Sequence, residues 1–370
     1  IMVAAFIFIP GSTHAFEFSI QVSGNPDIVE QLESASLLKE LSAGNDHNPQ
    51  DIVAAARADY ERIVGAMYGL GYFGPVVNIT LDGREATAVS TVSPPKIINS
   101  ARITIKSGQQ FKFGKTLISP LAVGTILPSG FAGGKTAQIS VIRDTSSVVI
   151  NAWREKGHAK ATLKTQQIAA RHRENLINVA LEVDTGPKLT FGQLIVKGNK
   201  AVRTDRIVDI AGLPTGRVFS PGDLKRAANR LRRTGTFRVA ALSEAAAYNS
   251  DQSLDIQAQI TENLPRRFGF GADISSLEGL GLSAFWLHRN LWGGAERLRL
   301  EGEISGIGGN SGGTDYSFGV RFDRPATFNE DTDFYALGEL ERLDEVSFKS
   351  KQAAIEIAIK RYASDKRAYT

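Results

Sequence analysis

The sequence predicts tandem α+β repeats followed by an all-β region folded as an antiparallel sheet, and two observations carry that prediction. Upstream of Leu264 a motif recurs at a nearly constant interval, which marks a repeated structural unit. Beyond Leu264-Pro265 the helical periodicity stops, and apolar and polar residues alternate through one segment after another, the period-two signature of strands. With 370 residues the chain has room for several domains.

The chain opens on "MVAAFIFIP", a short apolar run closed by Pro10-Gly11, and "STHA" ends at Ala15 like a small-residue cleavage site. Residues 1–15 are therefore expected to be the remnant of a secretory signal peptide, with the true start upstream. No other stretch approaches the ~18 apolar residues of a spanning helix, so residence in a membrane would require a β-barrel. The absence of cysteine excludes disulfides, zinc–thiolate sites and a cysteine nucleophile. A balance of 43 basic to 39 acidic residues is too even to imply a nucleic-acid partner.

The repeat is explicit. "ITIKSGQQFKFGKTLI" (103–118) and "LEVDTGPKLTFGQLIV" (181–196) superimpose without a gap, placing Gly108 on Gly186, Phe113 on Phe191 and Gly114 on Gly192, 78 positions apart (186 − 108). The element returns at Phe268-Gly269, one position closer. Each unit is expected to read strand, short helical stretch, longer amphipathic helix, strand, strand. In the last unit Ser220-Pro221 reads as N-cap and first-turn proline, followed by the apolar stripe Leu224, Ala227, Ala228 and Leu231 and a stop near Gly235. The unit before it offers Val141, Thr145, Val148 and Ala152, with Gly157 beyond the helix end. The first offers Ile52, Ala56, Tyr60, Ile63 and Met67 before Gly71-Tyr72, and "VSGN" (22–25) echoes "VKGN" (196–199). The expected divisions are 16–108, 109–186 and 187–263, with the all-β region at 264–370.

In that last region Phe268, Phe270, Ala272 and Ile274 oppose Arg267, Gly269, Gly271 and Asp273. Leu298, Leu300 and Ile304 oppose Arg297, Arg299, Glu301 and Glu303; Tyr316, Phe318, Val320 and Phe322 oppose Asp315, Ser317, Gly319, Arg321 and Asp323. Ala353, Ile355, Ile357 and Ile359 oppose Ala354, Glu356, Ala358 and Lys360. A soluble sandwich and a transmembrane barrel both give such alternation. The signal remnant, the repeats and the absence of interrupting helices favour the barrel, with the first set of each pair toward lipid and the second in a wet lumen.

Enzymatic chemistry finds no support. "GNSGG" (309–313) imitates a glycine-flanked serine nucleophile, but Ser311 sits between strands, without the strand-to-helix turn or a neighbouring imidazole. His14, His47, His158, His172 and His288 lie in different units and lack metal-pair spacing, so neither a metal nor a cofactor is expected. The basic run "KRAANRLRRTG" puts Lys225, Arg226, Arg230, Arg232 and Arg233 outside the apolar stripe. It reads as a solvated helix face, or as one facing an anionic membrane surface or an acidic partner.

Three such units followed by "RRFGFGADIS" and "NLWGGAERLRLEGEISG" resemble polypeptide-transport-associated (POTRA) domains leading into the antiparallel transmembrane β-barrel of the BamA/TamA superfamily. Three units is the count of its TamA branch, the outer-membrane subunit of the translocation and assembly module. Asn290, Gly293 and Gly294 match a turn between early barrel strands in that family. The resemblance implies only the N-terminal part of the barrel here, so the chain is expected to be a piece incomplete at both ends. It implies an outer-membrane location with periplasmic POTRA domains, unfolded outer-membrane and autotransporter polypeptides as clients, contact with outer-membrane lipid, and a TamB-like inner-membrane-anchored partner. A two-partner-secretion pore or a BamA-type general assembly subunit is the alternative. The first barrel strand is the expected seam, with Arg267 and Asp273 inward, Phe268 and Phe270 in lipid, and Gly269 and Gly271 weakening the pairing.

Overall fold

The structure, a computed structural model, describes residues 16–44, 48–310, 312–364 and 367–369. The signal segment 1–15, His47 and Ser311 lie outside the described residues. The chain divides into two compact units: one runs to Ala152 and includes Thr162–Thr185, the other comprises Trp153–Ala161 and the chain from Gly186 onward.

The first unit opens with β1 (Glu17–Ser23), the short helices α1 (Val29–Ala35) and α2 (Leu37–Ser42) and the long helix α3 (Pro49–Gly69). Strands β2 (Val76–Leu81), β3 (Arg84–Glu85) and β4 (Ser100–Lys106) follow, and the sheet order is β1-β4-β2-β3. Asn48 caps α3 by accepting the Gln50 N–H, and Pro49 fills the first turn. Ile52, Ala56, Ile63 and Met67 of the expected stripe are buried and Tyr60 packs beside them. Asp59 is also fully buried; its carboxylate accepts from Ser36 Oγ at 2.6 Å and from the Leu37 and Leu38 N–H groups at 2.7 and 3.1 Å, holding the start of α2 in place. Apolar periodicity gave no sign of it.

The second repeat consists of β5 (Lys112–Ser119), α4 (Ile139–Glu155), β6 (Thr162–Arg171) and β7 (Leu176–Asp184), in the sheet order β5-β7-β6. The short helix expected after its first strand does not form. Pro120 and Pro128, with Gly124, Gly130, Gly133 and Gly134, break helical bonding through that stretch and leave turns. The buried stripe of α4 is Ile142, Thr145 and Val149, rotated by one residue about Thr145 from the expected Val141 and Val148. Val141 lies instead over Gly130, where an added Cβ would stand 3.3 Å from its Cγ2.

The second unit begins with the third repeat: β8 (Thr190–Lys197), α5 (Thr204–Ala211), α6 (Pro221–Arg233), β9 (Phe237–Glu244) and β10 (Ser253–Glu262), ordered β8-β10-β9. Ser220 Oγ accepts the Gly222 N–H at 3.2 Å, and Ala227, Ala228 and Leu231 are buried as the spacing predicts.

The recurring Phe-Gly pair has one structural meaning in the second and third repeats. Phe113 and Phe191 are fully buried, and beside each the register of a parallel strand pair slips, between Phe113 and Thr116 on β5 and between Leu254 and Ile256 on β10. At each slip a side chain from the partner strand fills the gap: Asn178 Oδ1 accepts the Lys115 N–H and Asp255 Oδ1 the Gln193 N–H, both at 2.8 Å. A Cβ at Gly114 would stand 2.3 Å from Asn178 Oδ1, and one at Gly192 2.2 Å from Asp255 Oδ1. The echo at Phe268-Gly269 has no such role. It lies in an antiparallel pair, and Phe268 is 62% exposed.

From there the chain is a meander of strands β11 (Arg266–Ser275), β12 (Gly279–His288), β13 (Arg297–Gly308), β14 (Asp315–Arg324), β15 (Thr332–Asp344), β16 (Lys349–Ser364) and β17 (Arg367–Tyr369), each paired antiparallel with its sequence neighbours in one open sheet. The register sets the two faces. Trp286, Leu300, Val320 and Gly338 form one row and Leu282, Ile304 and Tyr316 another, so the apolar members of β12 to β15 share a face, which pairing extends to β11 and β16. Phe268, Phe270, Ile274, Ile355 and Ile357 on that face are largely exposed.

Candidate functional site

Strand β11 is an edge: among the described residues its only partner is β12, paired from Arg266 opposite His288 to Ser275 opposite Gly279. Phe268, Phe270 and Ile274 project from the apolar face, while Arg267, Gly269, Gly271 and Asp273 occupy the polar one. Gly269 is not an open gap. The Phe285 ring of β12 covers it, so closely that a Cβ there would lie 2.1 Å from Cε1. Arg267 and Arg299 sit over that ring at 5.7 and 4.3 Å, which packs the polar face of the edge pair instead of leaving it loose.

The connector into β11 is pinned to the third repeat. The Asn263 N–H donates to Thr236 O at 2.8 Å, and Arg289 Nη1 donates to Leu264 O at 2.9 Å. The turn after β12 carries Asn290, Gly293 and Gly294. Asn290 Oδ1 accepts the Ala295 N–H at 2.9 Å, and the buried Glu296 carboxylate accepts the Gly294 N–H at 2.9 Å. Gly293 O accepts the Arg203 N–H at 2.9 Å, and Ala295 is fully buried in the core of the third repeat with Val202, Ile207 and Leu231. Trp292 stays exposed and packs tilted against Phe322, ring centroids 5.4 Å apart, an aromatic pair at the turn end of the apolar face.

The turn after β14 docks in the same way. Ala326 enters that core, and the buried Arg206 of α5 donates to Pro325 O at 2.8 Å. Here the expectation for the basic helix face is corrected in part. Lys225, Arg226 and Arg232 are exposed, but Arg230 is buried and binds Asp331 of the turn. Arg233 donates to Glu330 O at 2.7 Å and stands 3.9 Å over the Tyr362 ring. The acidic surface they meet is supplied by the chain itself. Hydrogen bonding from Arg230, opposed by partial burial and helped by the charges of Arg230 and Arg233, holds the Asp331 carboxyl below its ordinary range. Arg206, Glu296 and Asp331 were missed in the sequence; the acid run Glu330-Asp331 in a turn was the available signal.

Of the histidines, His158 bonds Gly186 O through Nδ1 and His172 packs edge-on to Phe111. Among the described residues no three His, Asp or Glu side chains gather as metal ligands.

Repeats of this topology followed by a two-faced antiparallel sheet define POTRA-type α/β domains leading into an all-β region. Residues 189–263 match the POTRA family, surface antigen variable number repeat. The chain is 22% identical over 170 residues to the outer membrane protein assembly factor BamA of Nitratidesulfovibrio vulgaris, an alignment covering 45% of this chain and 21% of that one. Haemophilus ducreyi BamA lacking POTRA domains 1–3 is similar with a TM-score of 0.53 at 16% identity, over 66% of this chain and 46% of that one. POTRA3–5 of Haemophilus influenzae BamA gives 0.48 at 18% identity, over 69% and 99%. The chain thus spans about a fifth of the N. vulgaris protein and under half of the H. ducreyi one.

Proposed function

We propose that this protein is an outer-membrane protein assembly factor of the TamA kind. Its POTRA domains stand in the periplasm of a Gram-negative cell and receive unfolded outer-membrane and autotransporter polypeptides, and β11 is the seam where these are inserted into lipid. A TamB-like inner-membrane-anchored subunit is the proposed partner. The activity is not enzymatic and needs no cofactor, because folding and insertion of the client run downhill. The observation that supports this most is the edge position of β11 among the described residues, beside the exposed Phe268 and Phe270 and tied to the third repeat. An extended client strand adds to such an edge through backbone hydrogen bonds with little dependence on its sequence. Homology to BamA favours a second reading, a general barrel-assembly subunit whose clients are not restricted to autotransporters.

The test uses the absence of native cysteine. Cysteine is placed at Ala272 on β11 or at Ile304 on the interior strand β13, with a second cysteine on an edge strand of an autotransporter client. Disulfide capture during assembly should occur at Ala272 and not at Ile304. Equal capture at both, or none at Ala272, would remove β11 as the seam.

A further inference from the structure

At the turn end of the polar face, beneath α6, lies a cavity of about 300 Å³ whose charged lining is Arg233, Arg297, Arg321, Lys360, Asp323 and Asp333. The two acids are committed. Asp323 accepts from Arg321 Nε at 3.0 and 3.1 Å and from its Nη2 at 2.9 Å. Asp333 accepts the Ala326 N–H at 3.2 Å and lies 3.9 Å from Arg233. Among the described residues this leaves Arg297 and Lys360 with no carboxylate at ion-pair distance. Arg297 Nε is buried and has no hydrogen-bond partner. A guanidinium whose Nε is unpaired and shielded from water is costly, and an anion held in the cavity that Arg297 lines would offset its charge.

Nearby, Arg299 stands directly opposite Arg321 in the sheet, and each is held by a carboxylate of its own strand, Glu301 at 2.7 Å and Asp323 at 2.9 Å. Burial, and then the charges of Arg267 and Arg297, hold the Arg289 guanidinium of the adjacent turn below its ordinary range. Farther along the polar face the sign reverses: Glu301 and Glu339 flank Gly319 in one row, Glu303 and Glu341 flank Ser317 in the next.

We propose that this cavity is an oxyanion-binding site that holds a carboxylate of an acidic polypeptide segment arriving at the turn end of the sheet. A polypeptide is favoured over a lipid headgroup because the cavity opens on the polar face, opposite the one bearing Phe268, Phe318 and Ile355. The acidic rows beyond it repel the same segment, so it is retained at the mouth and does not pass deeper. The inference rests on the client-receiving role proposed above, and it is tested by binding alone.

Fluorescein-labelled hexaglutamate is titrated into the detergent-solubilised full chain and followed by anisotropy. Binding is expected to be salt-sensitive and absent for hexaglutamine. Arg297→Gln should weaken it about tenfold or more, Arg297→Lys by no more than about threefold, and Lys351→Gln, at the far end of β16, not at all. Loss in Arg297→Lys equal to that in Arg297→Gln would mean that packing and not charge is responsible, and would overturn the assignment. So would displacement by inorganic phosphate at the peptide's own concentration, or an Arg297→Gln defect seen with phosphatidylglycerol vesicles and not with the peptide. If the peptide fails to bind while Ala272 still captures client, the cavity assignment falls and the assembly role stands.

Discussion

Arg230 on α6 and Asp331 in the turn after β14 form a two-pronged ion pair, Nε to Oδ1 at 2.7 Å and Nη2 to Oδ2 at 2.5 Å. The remaining Nη1 donates to the carbonyls of Ala211 and Gly212 at 3.1 and 3.0 Å, at the end of α5. One guanidinium therefore joins both helices of the third repeat to a turn of the sheet, with the planar fork geometry that only arginine offers.

Breaking this pair should loosen the repeat from the sheet. The side chains are 9% and 34% exposed, so Asp331→Ala removes the two-pronged partner of a buried cation and leaves it the Glu330 carboxylate at 3.6 Å. The expected loss is about 2 kcal/mol, under the 3–5 kcal/mol of a fully buried pair. Arg230→Met with Asp331→Leu should recover part of it, because neither residue then leaves an unpaired charge. Urea midpoints of the three proteins measure this, and an Asp331→Ala midpoint equal to wild type would show the pair to be idle.

The same pair sets an acid limit. Because the Asp331 carboxyl titrates lower in the folded protein than in the unfolded chain, its contribution is complete above the unfolded value of about 3.9. It is lost as pH falls through the lower folded value. Stability measured from about pH 5 to 8 should show no step from this group, while below about pH 4 wild type should fall toward Asp331→Asn, which lacks the titration.

How much of this was legible depended on the kind of interaction. The strands of the sheet could be read because a period of two survives whatever the tertiary structure, and the Ser220-Pro221 start of α6 could be read because capping is local. The second repeat departed where Pro120 and Pro128 overrode the analogy with its neighbour. Arg230 looked like any surface cation, because its partner lies 101 positions away and only folding brings them together. The repeated glycines were visible as a spacing, but their reason, a side chain arriving from another strand, was not.

That reason separates two substitutions that look equivalent in sequence. At Gly114 the nearest obstacle to a Cβ is the Asn178 amide, and the next atom outside that residue lies 3.6 Å away. At Gly192 the Asp255 carboxylate is joined by backbone, Asp255 N and Leu254 C, both at 3.0 Å. Gly114→Ala should cost about 1–3 kcal/mol as an overpacking change and be largely rescued by Asn178→Ala. Gly192→Ala should resist rescue by Asp255→Ala, since backbone cannot be trimmed. Thermal unfolding of the singles and doubles decides it, and equal rescue at both sites would contradict the backbone argument.

The sharpest test of the sheet's environment uses adjacent residues on opposite faces. Phe318 lies on the apolar face between Gly302 and Leu340 and is 46% exposed. Ser317 lies on the polar face between Glu303 and Glu341. If water bathed both faces, Phe318→Arg would be an ordinary surface change, within about 0.5 kcal/mol of neutral. If lipid covers the apolar face, an arginine there costs about 2–4 kcal/mol near the midplane and less toward either rim. Ser317→Arg lands between two carboxylates in both cases and should be neutral or slightly stabilising. Folding of the two variants into lipid vesicles, followed by protease protection, gives the comparison. A difference of at least about 2 kcal/mol against Phe318→Arg means that the face carrying Phe268, Phe318 and Ile355 meets hydrocarbon, whereas equal stabilities would return this sheet to the soluble class.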